Sequence, residues 1–479
     1  MKFVYGSLIG GIWRDSPSTL RTVNPARPSQ PVGTYGQATA AMVDEAVAAA
    51  AAAQRAWRKL PAPERCASFA RFIDAIEANK ERLAEAITAE QGKTLLESRG
   101  EIAKACSESR FMLQHVMTAE GTRHVPALRA GVRNIVLRRP RGVIVAITPW
   151  NFPVMTPMRK IAPALGFGNA AIIKPSEFTP AAACILGELA TGMLPDGLLQ
   201  VLHGGPDIGN ALVGHRGVHG VTFTGSVGTG RRIIAATANN LAELSLELGG
   251  KNAVVIHDAD DLDACLDQVA SAALMCSGQR CTAVSRVLVR RALGERVAKG
   301  LAQRASRMRV GDGMDAATQL GPVTHLSQFE HVMSAVSKAR SEGALVVAGG
   351  QGLEVQGCEG GYFFAPTILD RVEPHSAAAR EEIFGPVISI VHYDTFDDAI
   401  AILNNVDYGL TAALFSNDAK VIARFVEECE TGMLHVNHGT VPDSHMPFGG
   451  IKASGVGAYS VGPSAAAFYT TEHSVYLEN

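Results

Sequence analysis

From Val143 to Glu247 the chain alternates short apolar runs with helical stretches, and no other feature of the sequence restricts the fold as much. Val143-Ile-Val-Ala-Ile147 is apolar throughout, as expected of a strand buried on both faces. A helical stretch at 155–166 follows, then strand 170–174, a helix at 180–193 and strand 199–202. A helix at 206–214, strand 218–224, a helix at 228–239 and strand 243–247 complete the series. This order predicts an α/β protein with a doubly wound parallel sheet, because parallel neighbours are joined only by crossovers.

A second alternation starts near Asn252. It reads as strand 254–256, helix 261–276, strand 285–289, helix 293–308, strands near 345–348 and 387–393, and helix 397–404. The boundary falls at Gly249-Gly250. Upstream, residues 1–40 carry Pro25, Pro28 and Pro31 among short apolar pieces and read as strands and turns. Helices are expected over 41–60, 64–90 and 94–119, and an arginine-rich strand over 132–139.

Composition excludes several classes of function. At about 150 residues per domain, 479 residues suggest roughly three domains, enough to bury a core without disulfide or metal staples. Glycine is abundant (48 residues) and aromatics are few (6%), which suits an α/β enzyme with many tight turns better than a β-sandwich. The net charge of -2 leaves no basic excess to neutralise a phosphate backbone, so nucleic-acid binding is not expected. No apolar run approaches the roughly 20 residues that span a bilayer, and the segment 1–13 lacks a signal-peptide core. The eight cysteines are scattered with no Cys-x-x-Cys, as expected of reduced thiols in a cytoplasmic protein.

Six segments carry candidate chemistry. Thr148-Pro-Trp-Asn-Phe-Pro153 follows a buried strand, where Asn151 can offer an amide N–H to a developing oxyanion; two prolines making a turn is the plainer alternative. In Ile172-Ile-Lys-Pro-Ser-Glu177, Lys174 and Glu177 suit the hydroxyls of an adenosine ribose. Glu177 would repel a 2′-phosphate and so favours NAD over NADP. Val221-Thr-Phe-Thr-Gly-Ser-Val-Gly-Thr-Gly230 reads as strand, glycine turn and helix, a seat for a pyrophosphate without the usual glycine spacing. Glu247, in Leu246-Glu-Leu-Gly-Gly-Lys-Asn252, is a carboxylate among apolar residues, either a desolvated general base or a partner of Lys251. Cys281 lies among small residues in Ser277-Gly-Gln-Arg-Cys-Thr-Ala283 and can act as a nucleophile, whereas Cys276 reads as core. Glu381-Glu-Ile-Phe-Gly-Pro386 offers an acid pair, or one ribose ligand and one structural carboxylate.

Together with Pro447-Phe-Gly-Gly450, these segments resemble the aldehyde dehydrogenase superfamily in order and spacing along essentially the whole chain. The resemblance implies a Rossmann-like cofactor domain (1–121 and 142–249), an α/β catalytic domain (250–459) and a small β bridging element (122–141 and 460–479). That element would join subunits into a homodimer or homotetramer. Cys281 would attack the aldehyde, the Asn151 amide and the Cys281 N–H would hold the oxyanion, and Glu247 would activate water against the thioester. Retention of Glu247 favours a free acid over transfer to coenzyme A. Trp150, Lys174, Glu177, Gly225, Ser226, Gly230, Glu382 and Phe384 would hold NAD, with NADP as the alternative, and no metal is implied. An esterase-like use of the thiol, or a silent cofactor-binding relative, fits the intact motifs less well.

On the substrate side the resemblance assigns Arg159, Met275, Arg280, Phe448 and the loop 437–446. Arg159, with its planar fork, and Arg280 suggest a small acidic aldehyde such as succinic or 2-oxoglutaric semialdehyde. A neutral aromatic or hydroxy aldehyde is the alternative. His435, His438 and His445 raise the question of a metal, which the family does not use.

Overall fold

The computed structural model describes residues 3–119 and 121–478; the ends of the expected segments at 1–2, 120 and 479 lie outside them. Two parallel sheets dominate. The first has eight strands, and its order runs from Gly455–Gly457 through Glu243–Glu247, Gly220–Thr224, Val143–Ile147, Ala170–Lys174, Leu199–Val201 and Ser7–Ile9 to Ile12–Arg14. Its five middle strands are parallel, and the chain winds outward in both directions from Val143–Ile147. The strands expected between 143 and 247 therefore all form, and in a doubly wound order. Gly455–Gly457, from far down the chain, pairs antiparallel with Glu243–Glu247 and closes one edge.

The second sheet has seven strands, ordered Leu345–Ala348, Thr367–Asp370, Val387–Tyr393, Arg286–Arg290, Ala253–Ile256, Thr411–Phe415 and Met433–Val436. Only Leu345–Ala348 runs against its neighbour. Three of these strands (Thr367–Asp370, Thr411–Phe415 and Met433–Val436) were not read from the sequence. A third, antiparallel sheet joins Thr470–Glu478, Val132–Pro140 and Arg123–Val125.

The helices obey local rules with instructive exceptions. Ala40–Trp57 is capped by Thr39, whose side chain accepts from Met42 N, and it buries Val43, Ala46, Val47, Ala50 and Trp57 at helical spacing. The Trp57 indole donates to Leu165 O at 2.8 Å, which docks this helix near the end of Met155–Gly166. The helix expected over 64–90 is two helices, Ala62–Ala78 and Lys80–Gln91, because the backbone leaves helical geometry at Asn79. Lys80–Gln91 then stops at Gly92, whose φ of +95° is left-handed, with Pro25 and Pro322 each 2.8 Å from where a Cβ would lie. Leu95–Ala119 follows and packs along Met155–Gly166.

Candidate active site

The chain leaves Val143–Ile147 toward one side of the first sheet and Gly220–Thr224 toward the other, so a crevice opens at their carboxyl ends. A cleft of 230 Å³ lies there, lined by Trp150, Asn151, Gly225, Ser226, Gly249, Cys281, Glu382 and Phe384 among others.

Asn151 is buried, and its Nδ2 donates to Gln279 O at 2.9 Å, two residues before Cys281. Its own carbonyl accepts from Lys93 Nζ at 2.6 Å. Lys93 pairs with Glu101 at 2.8 Å, both side chains fully buried. Glu101 Oε1 accepts from Val154 N and Met155 N at 2.8 and 3.0 Å. One buried ion pair thus grips both ends of the Asn151 turn.

Cys281 is reached through an unusual bend. The helix expected over 261–276 ends at Leu274, and Cys276, Ser277 and Gly278 are left-handed, with φ of +55°, +56° and +68°. Non-glycine residues adopt this conformation only when their surroundings impose it. Here Cys276 N donates to Glu97 Oε1 at 2.6 Å, and Ser277 Oγ donates to Gly321 O at 2.7 Å. Gln279 Oε1 accepts from Thr324 N at 3.0 Å. Cys276 is buried as expected, but in this bend rather than in a helix. Cys281 remains partly accessible. Burial pushes its thiol up to about 11, although the Arg159 charge pulls the other way.

Glu247 ends its strand opposite Thr224 on one side and Gly455 on the other. Its Oε1 accepts from Ser460 Oγ at 2.8 Å, while Oε2 is buried without a partner among the described residues. It is not bonded to Lys251, the alternative its sequence neighbour offered. Burial pushes the Glu247 carboxyl up to about 7, opposed by Ser460 and by the Lys160 charge. Lys160, also buried, donates to Thr222 Oγ1 at 2.9 Å and is pulled down to about 7 by desolvation.

The other half of the cleft suits an anionic, ribose-bearing ligand. Ser226 caps the helix Val227–Thr237, accepting from Thr229 N at 3.3 Å, so the positive end of that helix faces the crevice. A Cβ on Gly228 would meet nothing within 4 Å. Glu382 reaches over Gly249 to accept from Gly250 N at 2.9 Å. Any Cβ on Gly249 would sit 2.3 Å from Glu382 Oε2. The Trp150 ring meets Phe384 edge-on, with centroids 5.4 Å apart. Lys174 is buried with its Nζ 3.2 Å from Pro175 O, while Glu177 is exposed. Gly230 departs from expectation. Its N–H is used inside the helix, donating to Ser226 O, and its Cβ position abuts Leu248 at 2.8 Å, so it packs the helix rather than lining the turn.

On the remaining side, Arg159 requires a correction. Its Nε and terminal nitrogen already bind both oxygens of Glu108, at 2.6 and 2.8 Å, and both side chains are buried. Burial opposes the Arg159 charge, but Glu108 outweighs it and holds the pKa above the ordinary range. The guanidinium lies 4.0 Å above the Phe448 ring. The fork expected to take a substrate carboxylate is thus occupied by the protein's own. Arg280 is buried and donates to Ala272 O at 2.6 Å, leaving Nε without a partner among the described residues. Met275 is exposed. His435 and His438 stack on one another, while His445 turns to Asp443 and Phe111.

The model of the aldehyde dehydrogenase family matches residues 13–475. The chain belongs to the aldehyde dehydrogenase family. It is 35% identical to the alpha-ketoglutaric semialdehyde dehydrogenase of Bacillus subtilis over 99% of this chain and 98% of that one. It is 36% identical to the mitochondrial succinate-semialdehyde dehydrogenase of Arabidopsis thaliana over 94% of this chain and 85% of that one. The structure of betaine aldehyde dehydrogenase from Staphylococcus aureus in complex with NAD+ superimposes with a TM-score of 0.95 at 29% identity, covering 99% and 94% of the two chains.

For an aldehyde dehydrogenase, the sequence motifs nominated most of the groups that line the cleft, Gln328 and His331 aside, but not those that hold them. Lys93, Glu97, Glu101, Glu108, Lys160 and Ser460 were not read from the sequence. One signal was available. Glu97, Glu101 and Glu108 fall on one stripe of the helix Leu95–Ala119, near the buried Ile102, Ala105 and Met112. Carboxylates on an apolar stripe need buried partners.

Proposed function

We propose that the protein oxidises a small acidic aldehyde to the free carboxylic acid with NAD, or less readily NADP. The observation that carries this reading is the convergence of Asn151, Cys281, Ser226 and Glu382 on one cleft. The Cys281 sulfur would bond to the aldehyde carbon while the thiol proton passes to solvent water, and the carbonyl oxygen would become an oxyanion held by Asn151 Nδ2 and the Cys281 N–H. NAD, when bound, supplies the hydride acceptor that converts this adduct to a thioester on Cys281. Glu247 would then take a proton from water as the water oxygen bonds to the acyl carbon, and the C–S bond would break to release the acid and the thiolate. Gly225, Ser226, Lys174 and Glu177 fit the dinucleotide, with Trp150, Phe384 and Glu382 at the nicotinamide end.

A carboxyl held near 7 is neutral below that pH and cannot act as a base. Thioester hydrolysis should therefore rise as pH increases through about 7, which a pH series of steady-state rates checks. The acidic substrate is supported by the two semialdehyde relatives and by the charges around the cysteine. Arg159 and Arg280 act on Cys281 against the opposing charges of Glu247 and Glu382, and with Glu108 already on Arg159 the cations left to face an acidic group are Arg280 and Lys104. Rates of NADH formation test the reading, with succinic and 2-oxoglutaric semialdehydes set against butanal, benzaldehyde and glycolaldehyde. A kcat/KM at least tenfold higher for the acidic members is expected; a flat profile would remove the acidic substrate and leave the dehydrogenase.

We propose further that the first sheet carries the cofactor, the second supports the cysteine, and the third bridges subunits of a homodimer or homotetramer. Tyr476 and Leu477 on the edge strand are exposed, which supports the last point; light scattering in solution tests it. No helix among the described residues is long and apolar enough to cross a membrane. The eight cysteines are scattered along the sequence with no Cys-x-x-Cys pair, which supports a reducing, cytoplasmic location.

A further inference from the structure

We infer that Ser460 is a positioning residue for the base: its hydroxyl fixes one oxygen of Glu247 so that the other is left free to take a water proton. The inference rests on the reading of Glu247 as the base. Its ground is geometric. Gly455–Gly457 runs antiparallel to Glu243–Glu247, with Gly455 opposite Glu247 and Gly457 opposite Ser245. The pairing continues past the strand, where Ser245 Oγ donates to Ala458 O at 3.0 Å. The turn at Gly457 is open only to glycine, because φ is +85° and a Cβ would lie 2.0 Å from Leu244 O. The chain is thus zipped along the base's own strand away from Glu247 as far as Ser245, bends after Gly457, and comes back so that Ser460 faces the Glu247 carboxyl. Ser460 N donates to Phe448 O at 2.9 Å, which anchors the hydroxyl from the other side.

The result is an asymmetric carboxylate. Oε1 accepts a hydrogen bond at 2.8 Å, and Oε2 is buried with no protein partner among the described residues. A buried carboxylate oxygen left unsatisfied is costly unless a water or a reacting group supplies the proton. The other charged and titratable groups that act on Glu247 are Arg159 and Lys160 from the helix Met155–Gly166, Cys281 beyond the left-handed bend, and Tyr459 beside Ser460. Lys160 is engaged with Thr222, and Arg159 with Glu108. Ser460 is the one donor bonded to the Glu247 carboxyl among the described residues. Its O–H favours the ionised form, so it works against the desolvation that keeps the carboxyl protonated.

The test needs no cofactor. p-Nitrophenyl acetate acylates Cys281 directly, so the nitrophenol burst reports acylation and the following steady rate reports hydrolysis of the acyl-enzyme. Ser460→Ala should keep the burst amplitude and lower the steady rate about tenfold or more. It should also move the acidic limb of the pH profile upward by about one pH unit, the equivalent of one lost hydrogen bond. Ser460→Thr, which keeps the hydroxyl, should recover both. An unshifted limb in Ser460→Ala, or no recovery in Ser460→Thr with an unchanged melting temperature, would overturn the inference. Glu247→Gln separates the two claims. If it leaves the steady rate intact, the reading of Glu247 as the base fails; if it abolishes the steady rate while Ser460→Ala changes nothing, only the role of Ser460 fails.

Discussion

The helix Leu95–Ala119 supports the site at two places with the same chemistry and opposite consequences. Near its start, Glu101 pairs with Lys93, and together they bond to the backbone on both sides of the Asn151 turn. Seven residues on, Glu108 pairs with Arg159. The first pair shapes the cleft: its hydrogen bonds go to the main chain of the loop that presents Asn151, the proposed oxyanion donor. The second closes the fork that the substrate was expected to use. What a buried ion pair does for a site depends on where its remaining donors and acceptors go. Its charge alone does not decide this.

The comparison can be broken most sharply at Glu101. Glu101→Gln leaves the Lys93 charge buried and uncompensated, at a cost of about 3–5 kcal/mol in stability. It also loosens the Asn151 turn, so kcat should fall about 100-fold, the scale of a lost oxyanion donor. Denaturant midpoints and kcat measured together check this. An unchanged kcat in the folded variant would mean that the pair does not hold the turn. Glu108→Gln should cost similar stability but act differently on rate. With the Arg159 fork released, kcat/KM should rise about tenfold for succinic semialdehyde and change little for butanal. Equal changes for the two aldehydes would place Arg159 out of the substrate's reach. The smallest effect is expected from replacing the second pair entirely. Glu108→Leu with Arg159→Met should remain within about 2 kcal/mol of the parent, because two desolvated charges leave together. A large loss in thermal melting would show that this pair stabilises the fold after all.

The sequence carried the frame of the molecule well. Apolar runs such as Val143–Ile147, buried along its first four residues, and Ala170–Lys174, buried throughout, form strands, and a strand buried on both faces announces itself without help from its neighbours. The left-handed bend at Cys276 and Ser277 was hidden, since neither residue type signals that backbone. It is imposed by Glu97, far back in the chain. The motifs led to Asn151 and Glu247 because those groups sit beside prolines and glycines that mark strand ends, and to Cys281 because small residues surround it. Their holders were not legible for a plain physical reason. Glu108 and Arg159 are 51 positions apart, and Ser460 and Glu247 are 213 apart. Such pairs exist only once the sheets have brought distant segments together.

The edge strand Gly455–Gly457 makes the polypeptide a closed circuit. The chain leaves the first sheet after Glu247, builds the whole of the second, and returns to hydrogen-bond beside the strand it left. A body laced in this way cannot be parted into its two sheets by cutting one crossing of the chain alone. Nor can it be cut at Gly249-Gly250 into halves that fold alone, because the left half would lack its border and the right would trail it unpaired.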